Sequence, residues 1–117
     1  MQTHTAITES EAKVLDFLHV LNEERFDEAA KFLTPDFAFV GVMGTRNGAS
    51  SYINDMKKMK MKYKIHKVLA DEHDVAVLCD YTMDGKTMLG SSWYELRDGQ
   101  ISSLKAIFDP RPLLEKK

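Results

Sequence analysis

Two Asp-Gly steps, Asp84-Gly85 and Asp98-Gly99, constrain this chain more than any other feature. Each separates two runs of strand length, and an Asp-Gly step between apolar alternations is a strong hairpin signal. The runs are Tyr63 to Ala70, Val75 to Met83, Thr87 to Leu96 and Ile101 to Phe108. Asp71-Glu72-His73-Asp74 joins the first two. The spacing predicts a four-strand antiparallel meander over the second half of the chain.

The first half follows a different period. Thr8 and Glu11 form a capping box ahead of Val14, Phe17, Leu18 and Leu21, which predicts a helix over 9–23. Phe26, Ala29, Ala30 and Leu33 predict a second helix at about 26–33, stopped by Thr34-Pro35-Asp36 because the residue before a proline leaves the helical region. Phe37 to Met43 reads as a short strand and Gly44-Thr45-Arg46-Asn47-Gly48 as a turn. Tyr52, Ile53, Met56 and Met59 predict a third helix over roughly 48–60. Helices followed by a meander give an α+β fold, with three helices packed on one face of a curved, mainly antiparallel sheet. A length of 117 residues suits a single domain with a core from about 9 to 110 and short tails.

Charge and cysteine content exclude several classes. With 16 basic and 18 acidic side chains the net charge is −2, which argues against electrostatically driven nucleic-acid binding. An apolar fraction of 44% is that of a folded globular chain rather than a disordered one. The lone Cys79 excludes a disulfide framework and a Cys-rich zinc site. Met1 to Ser10 is polar, without the basic start and apolar stretch of a signal peptide, and no run approaches the ~20 apolar residues of a membrane span. The expectation is a cytoplasmic protein with no membrane or nucleic-acid partner, no metal and no cofactor.

The order of elements resembles the nuclear transport factor 2-like superfamily, which includes ketosteroid isomerases and SnoaL-like polyketide cyclases. The residues that carry the likeness are Leu21-Asn22-Glu23-Glu24-Arg25-Phe26-Asp27, Arg46-Asn47-Gly48, Leu96-Arg97-Asp98-Gly99-Gln100-Ile101 and Ala106-Ile107-Phe108. It covers nearly the whole chain and implies a cystatin-like cone, but a fold of this kind hosts many unrelated functions. In ketosteroid isomerases a carboxylate base acts with a tyrosine and a protonated acid that hold the oxyanion. The resemblance puts the tyrosine position on Phe17, the base position on Gly41 and the acid position on Ser92. None of these can fill its role, so ketosteroid isomerase activity is not expected. The last-strand Asp of the related epoxide hydrolases falls on Ala106. Asp80 takes the outward parity of its strand.

The resemblance also implies a cone-shaped cavity lined by the first and third helices and by the inward side chains of the sheet. In that register Phe17, Phe37, Phe39, Gly41, Met43, Tyr52, Met56, Cys79, Ser92, Tyr94 and Phe108 face inward. Of these, Phe17, Phe39, Tyr52, Met56, Cys79, Ser92, Tyr94 and Phe108 are the candidate ligand-binding residues, an apolar and aromatic wall suited to a flat hydrophobic molecule. The same set would equally fill a closed core. His66 and His73 read as solvated turn residues rather than metal ligands. His19 faces water. Lys57, Lys58, Lys60, Lys62 and Lys64 form a basic run at the end of the third helix that complements its dipole. Cys79 reads as a buried, inert thiol. Asp109 is the carboxylate expected to reach the cavity mouth.

Three functions stay open at this point. The first is a small-molecule-binding module without acid–base machinery. The second is an isomerase, cyclase or dehydratase using Tyr52, Tyr94, Ser92 and Asp109. The third is a dimerisation module with a filled cavity. On the outer face Ala76, Leu78, Trp93, Lys105 and Ile107 share one parity, which predicts a homodimer buried around Trp93.

Overall fold

A computed structural model describes residues 8–114. The expectation for Met1–Ser10 therefore lies largely outside the described residues. The elements run α1 (Glu9–Asn22), α2 (Phe26–Ala30), β1 (Leu33–Gly41), β2 (Gly44–Asn47), α3 (Ala49–Met59), β3 (Lys62–Ala70), β4 (Asp74–Met83), β5 (Lys86–Arg97), β6 (Gln100–Phe108) and α4 (Arg111–Leu114). The strands form one sheet in the order β2-β1-β6-β5-β4-β3. The α+β class and the meander from β3 to β6 are as the turn chemistry predicts. Both residues of each Asp-Gly step take positive φ, 56° and 77° at Asp84-Gly85 and 53° and 80° at Asp98-Gly99. Two successive positive φ values match the right-handed twist of the strands they join.

The segment around β1 departs from expectation in two ways. The second helix stops at Ala30, and β1 already begins at Leu33, ahead of Pro35. β1 runs parallel to β6, and the pairing slips between Leu33 and Ala38. A proline cannot donate to a sheet ladder, so the slip accommodates Pro35 within the strand. Gly44–Asn47 is a strand rather than a turn. It pairs antiparallel with β1, Phe39 opposite Arg46, and the chain reverses at Val42-Met43 instead. Nor is the stretch after Pro110 a bare tail, since Arg111–Leu114 forms the single turn of α4.

The Thr8 hydroxyl accepts from the Glu11 backbone N–H at 3.0 Å and starts α1. Val14, Phe17, Leu18 and Leu21 on α1 are buried, as are Tyr52, Ile53 and Met56 on α3. Asn22 ends α1 by gripping the start of β3. Its Nδ2 donates to the Tyr63 carbonyl at 2.9 Å and its Oδ1 accepts from the Tyr63 N–H at 2.8 Å. This amide stands in for a missing neighbour strand at the β3 edge. Among the described residues no helix is long and apolar enough to cross a membrane.

Candidate functional site

A cavity of about 250 Å³ opens between α3, the end of β1 with β2, and the inner faces of β4, β5 and β6. Strand parity brings Tyr81, Ser92, Tyr94, Leu104, Ala106 and Phe108 to one wall. Helical spacing brings Tyr52, Met56 and Met59 to the other, with Phe39 of β1 between them. The rings pack in two groups, one around Tyr52 and one around Tyr81. Tyr52 lies 5.3 Å from Phe39, Tyr81 lies 5.6 Å from Phe108, and Tyr63 meets Tyr81 edge-on at 5.7 Å between centroids.

Six of the candidate residues therefore line the space together: Phe39, Tyr52, Met56, Ser92, Tyr94 and Phe108. Phe17 and Cys79 do not. Phe17 is fully buried one layer deeper, packed between Phe32 and Tyr94. Cys79 faces inward but is covered, opposite Ile65 and Gly90 across its neighbouring strands. Parity assigns the face of a strand, not the depth along it. Phe37 is likewise buried behind Tyr52, whereas Met43 sits at the exposed rim.

The polar groups inside are hydroxyls. Tyr81 and Ser92 hydrogen-bond to one another through their hydroxyls, and the Tyr63 hydroxyl lies 3.7 Å from the Met56 sulfur. Burial pushes the phenols of Tyr52, Tyr63, Tyr81 and Tyr94 above their ordinary value, so all four stay protonated at neutral pH. Burial also pushes the Cys79 thiol up to about 11, as an inert thiol requires.

The three positions implied by the isomerase resemblance have other occupants. Phe17 is core. At Gly41 an added side chain would meet the Phe39 ring at 2.7 Å, so the aromatic ring covers the place where a base would project. Ser92 is engaged with Tyr81. Ala106 lines the wall as a methyl group.

Other charged candidates lie elsewhere. Asp109 does not line the cavity and is held by Arg111, whose Nε and Nη2 donate to it at 2.6–3.0 Å. Leu113 of α4 takes the mouth position expected of Asp109. Asp80 is on the outer face, where His66 Nε2 lies 3.1 Å away, so His66 belongs to β3 and not to a turn. His73 and His19 are exposed, the latter 3.0 Å from Glu23. The basic run divides between α3 and β3: Lys57 lies 3.8 Å from Asp27, while Lys62 bonds Glu24 at 2.7 Å.

One charged pair at the mouth escaped the sequence reading. Arg46 on β2 donates from Nε to Asp55 Oδ2 at 2.6 Å and from Nη2 to Oδ1 at 3.1 Å. Both residues line the cavity. The guanidinium holds the Asp55 carboxyl below its usual range. Asp55 follows Tyr52 by three residues, and that spacing on one helix face was the available signal. Among the described residues no group of three or more His, Cys, Asp or Glu side chains is placed to hold a metal ion.

The SnoaL-like domain model matches residues 14–104. A solved NTF2-like protein of unknown function from Cytophaga hutchinsonii shares 47% identity, covering 97% of this chain and 100% of that one, with a TM-score of 0.89. An epoxide hydrolase of the LEH-like type from M. tuberculosis is 22% identical over 91% of this chain and 86% of its own, TM-score 0.79. TerC, co-crystallised with polyporic acid, is 14% identical over 91% and 95%, TM-score 0.76. These last two likenesses are of fold alone. No protein of curated function matches. With the family model spanning most of the chain and a relative at 47% identity matched along its full length, this chain belongs to the SnoaL-like domain family, on the NTF2-like fold.

Proposed function

We propose that the protein binds a small hydrophobic molecule in this cavity without acid–base catalysis, acting as one domain with a core over about 9–110. The observation that carries this is an open space of about 250 Å³ walled by aromatic and methionine side chains. An apolar cavity of about 150 Å³ already accepts benzene, so a one- or two-ring hydrophobe fits here. Met56 and Met59 bend around ligands of different outline. TerC, a protein of the same fold, was co-crystallised with a small organic molecule, polyporic acid. The filled-cavity reading is disfavoured by the space itself. The enzyme reading lacks a free base, because Asp55 at the mouth is committed to Arg46.

Native mass spectrometry of freshly purified protein tests the proposal by detecting a co-purified ligand. With a neutral bicyclic aromatic as probe, Tyr94→Ala and Phe108→Ala are expected to weaken binding more than Asp80→Ala. Equal losses from all three would refute the assignment of the lining.

The outer face supports a homodimer as a second part of the proposal. Leu78, Leu89, Trp93 and Ile107 all lie exposed there, Ile107 at 66%. Such a patch on one sheet face favours burial against a second copy. Sedimentation as a monomer at micromolar concentration would refute it. A single buried thiol at Cys79 suits a reducing, cytoplasmic compartment.

A further inference from the structure

The cavity mouth carries one guanidinium whose hydrogen-bonding capacity is only partly used. Of its five N–H donors, Arg46 spends two on Asp55. Three remain, on a side chain half exposed to water. Asp55 is the more buried partner, and each of its carboxylate oxygens already accepts one of these bonds. The pair is therefore asymmetric: it has donors to offer a newcomer and few free acceptors. Behind it the cavity offers rings, thioethers and protonated hydroxyls, none of which compensates a buried charge.

We propose that the ligand of this cavity is amphipathic, with a one- or two-ring apolar body inside and a carboxylate at the mouth held by the unspent N–H groups of Arg46. This rests on the reading of the cavity as a hydrophobic binding site and adds the chemical class of the ligand. A planar guanidinium is suited to a carboxylate because two parallel N–H bonds can form at once. Asp55 has two opposed effects. It fixes the guanidinium at the cavity rim, and its own charge repels the incoming carboxylate. A ligand bound this way keeps its ionised end in water and its apolar end out of it.

Titration calorimetry at neutral pH with 2-naphthoate and its neutral isostere 2-naphthamide tests this, since the two differ in charge and hardly in shape. The expected result is about tenfold tighter binding of the acid to the wild-type protein. Arg46→Gln is expected to abolish that preference, weakening the acid about tenfold and the amide far less, and the amide's retained binding shows that the cavity has stayed intact. Asp55→Asn is expected to tighten the acid severalfold and to change the amide far less. If the amide binds but the acid binds no better, or if the preference survives Arg46→Gln, the carboxylate assignment is wrong while the hydrophobic site stands. If neither binds, the hydrophobic reading fails and takes this inference with it. Should Arg46→Gln lose both ligands, the Asp55→Asn result decides: no gain for the acid overturns the proposal.

Discussion

Gly90 of β5 sits where its neighbours leave no room for a side chain, and its replacement by alanine has a calculable consequence. It faces inward between Cys79 and Phe108 of the neighbouring strands. A Cβ there would stand 2.5 Å from the Ile107 carbonyl oxygen, 2.5 Å from Tyr81 Cε2 and 2.8 Å from Phe108 Cβ. Ordinary contact begins near 3.4 Å, so the β6 backbone and the Tyr81 ring must both retreat by nearly an ångström. Overpacking of this kind costs about 3 kcal/mol, of which the reduced freedom of the unfolded alanine chain offsets about 0.5 kcal/mol. With a urea m-value of about 1.5 kcal/mol/M, Gly90→Ala should lower the unfolding midpoint by roughly 1.7 M. The Tyr81–Ser92 hydrogen bond should loosen with the ring. In a Tyr81→Leu background the same change should cost less, because the ring conflict is gone, but not nothing, because the Ile107 carbonyl remains. A midpoint shift below about 0.3 M, or a full recovery in the double variant, would refute this account of the close approach.

Four further outcomes are expected. Asn22→Ala removes both bonds to Tyr63 and should cost about 1–3 kcal/mol, with faster hydrogen exchange at the Tyr63 amide; unchanged exchange would count against the clamp. Cys79, with its thiol held protonated up to about 11, should resist disulfide-exchange reagents at pH 8 until urea is added. Its folded value lies above the unfolded one, so the unfolded chain ionises first and stability should fall as pH rises from about 9 towards 11, more in the wild type than in Cys79→Ala. Finally, a Δ5-ketosteroid assay should show no turnover above background, since Phe17, Gly41 and Ser92 supply no base or strong acid; robust turnover would mean that another base has been recruited.

Local chemistry was legible and long-range partnership was not. The Asp-Gly turns fold as their backbone preferences require, and the α1 stripe buries the residues its spacing selects. β2 was hidden because a four-residue strand of Gly, Thr, Arg and Asn has no apolar pattern; only its partner β1 makes it a strand. The early start of β1 was hidden for the same reason, since its parallel partner β6 lies far along the chain. Around the cavity, Phe39, Tyr52, Met56, Ser92, Tyr94 and Phe108 face inward in the register that the family resemblance implied. The burial of Phe17 and Cys79 behind the lining depends on how rings stack in three dimensions. Helical spacing from Tyr52 places Asp55 on the cavity side, but nothing within β2 announces that Arg46 meets it there.

The parallel pairing of β1 with β6 also governs how the chain reaches this state. Phe39 lies opposite Leu104, about 65 residues later, so that contact closes a loop over half the chain. By contrast, each hairpin from β3 to β6 closes through a turn of a few residues and can form as soon as its second strand exists. The β1–β2 hairpin and the hairpins of β3 to β5 can therefore form first, while the facing edges of β1 and β5 stay open. Only when β6 emerges does the β1–β2 hairpin join the rest of the sheet, and the cavity comes into being in that step. A chain that ends before Gln100 leaves the β6-facing edge of β1 open, and that edge is left to join another molecule.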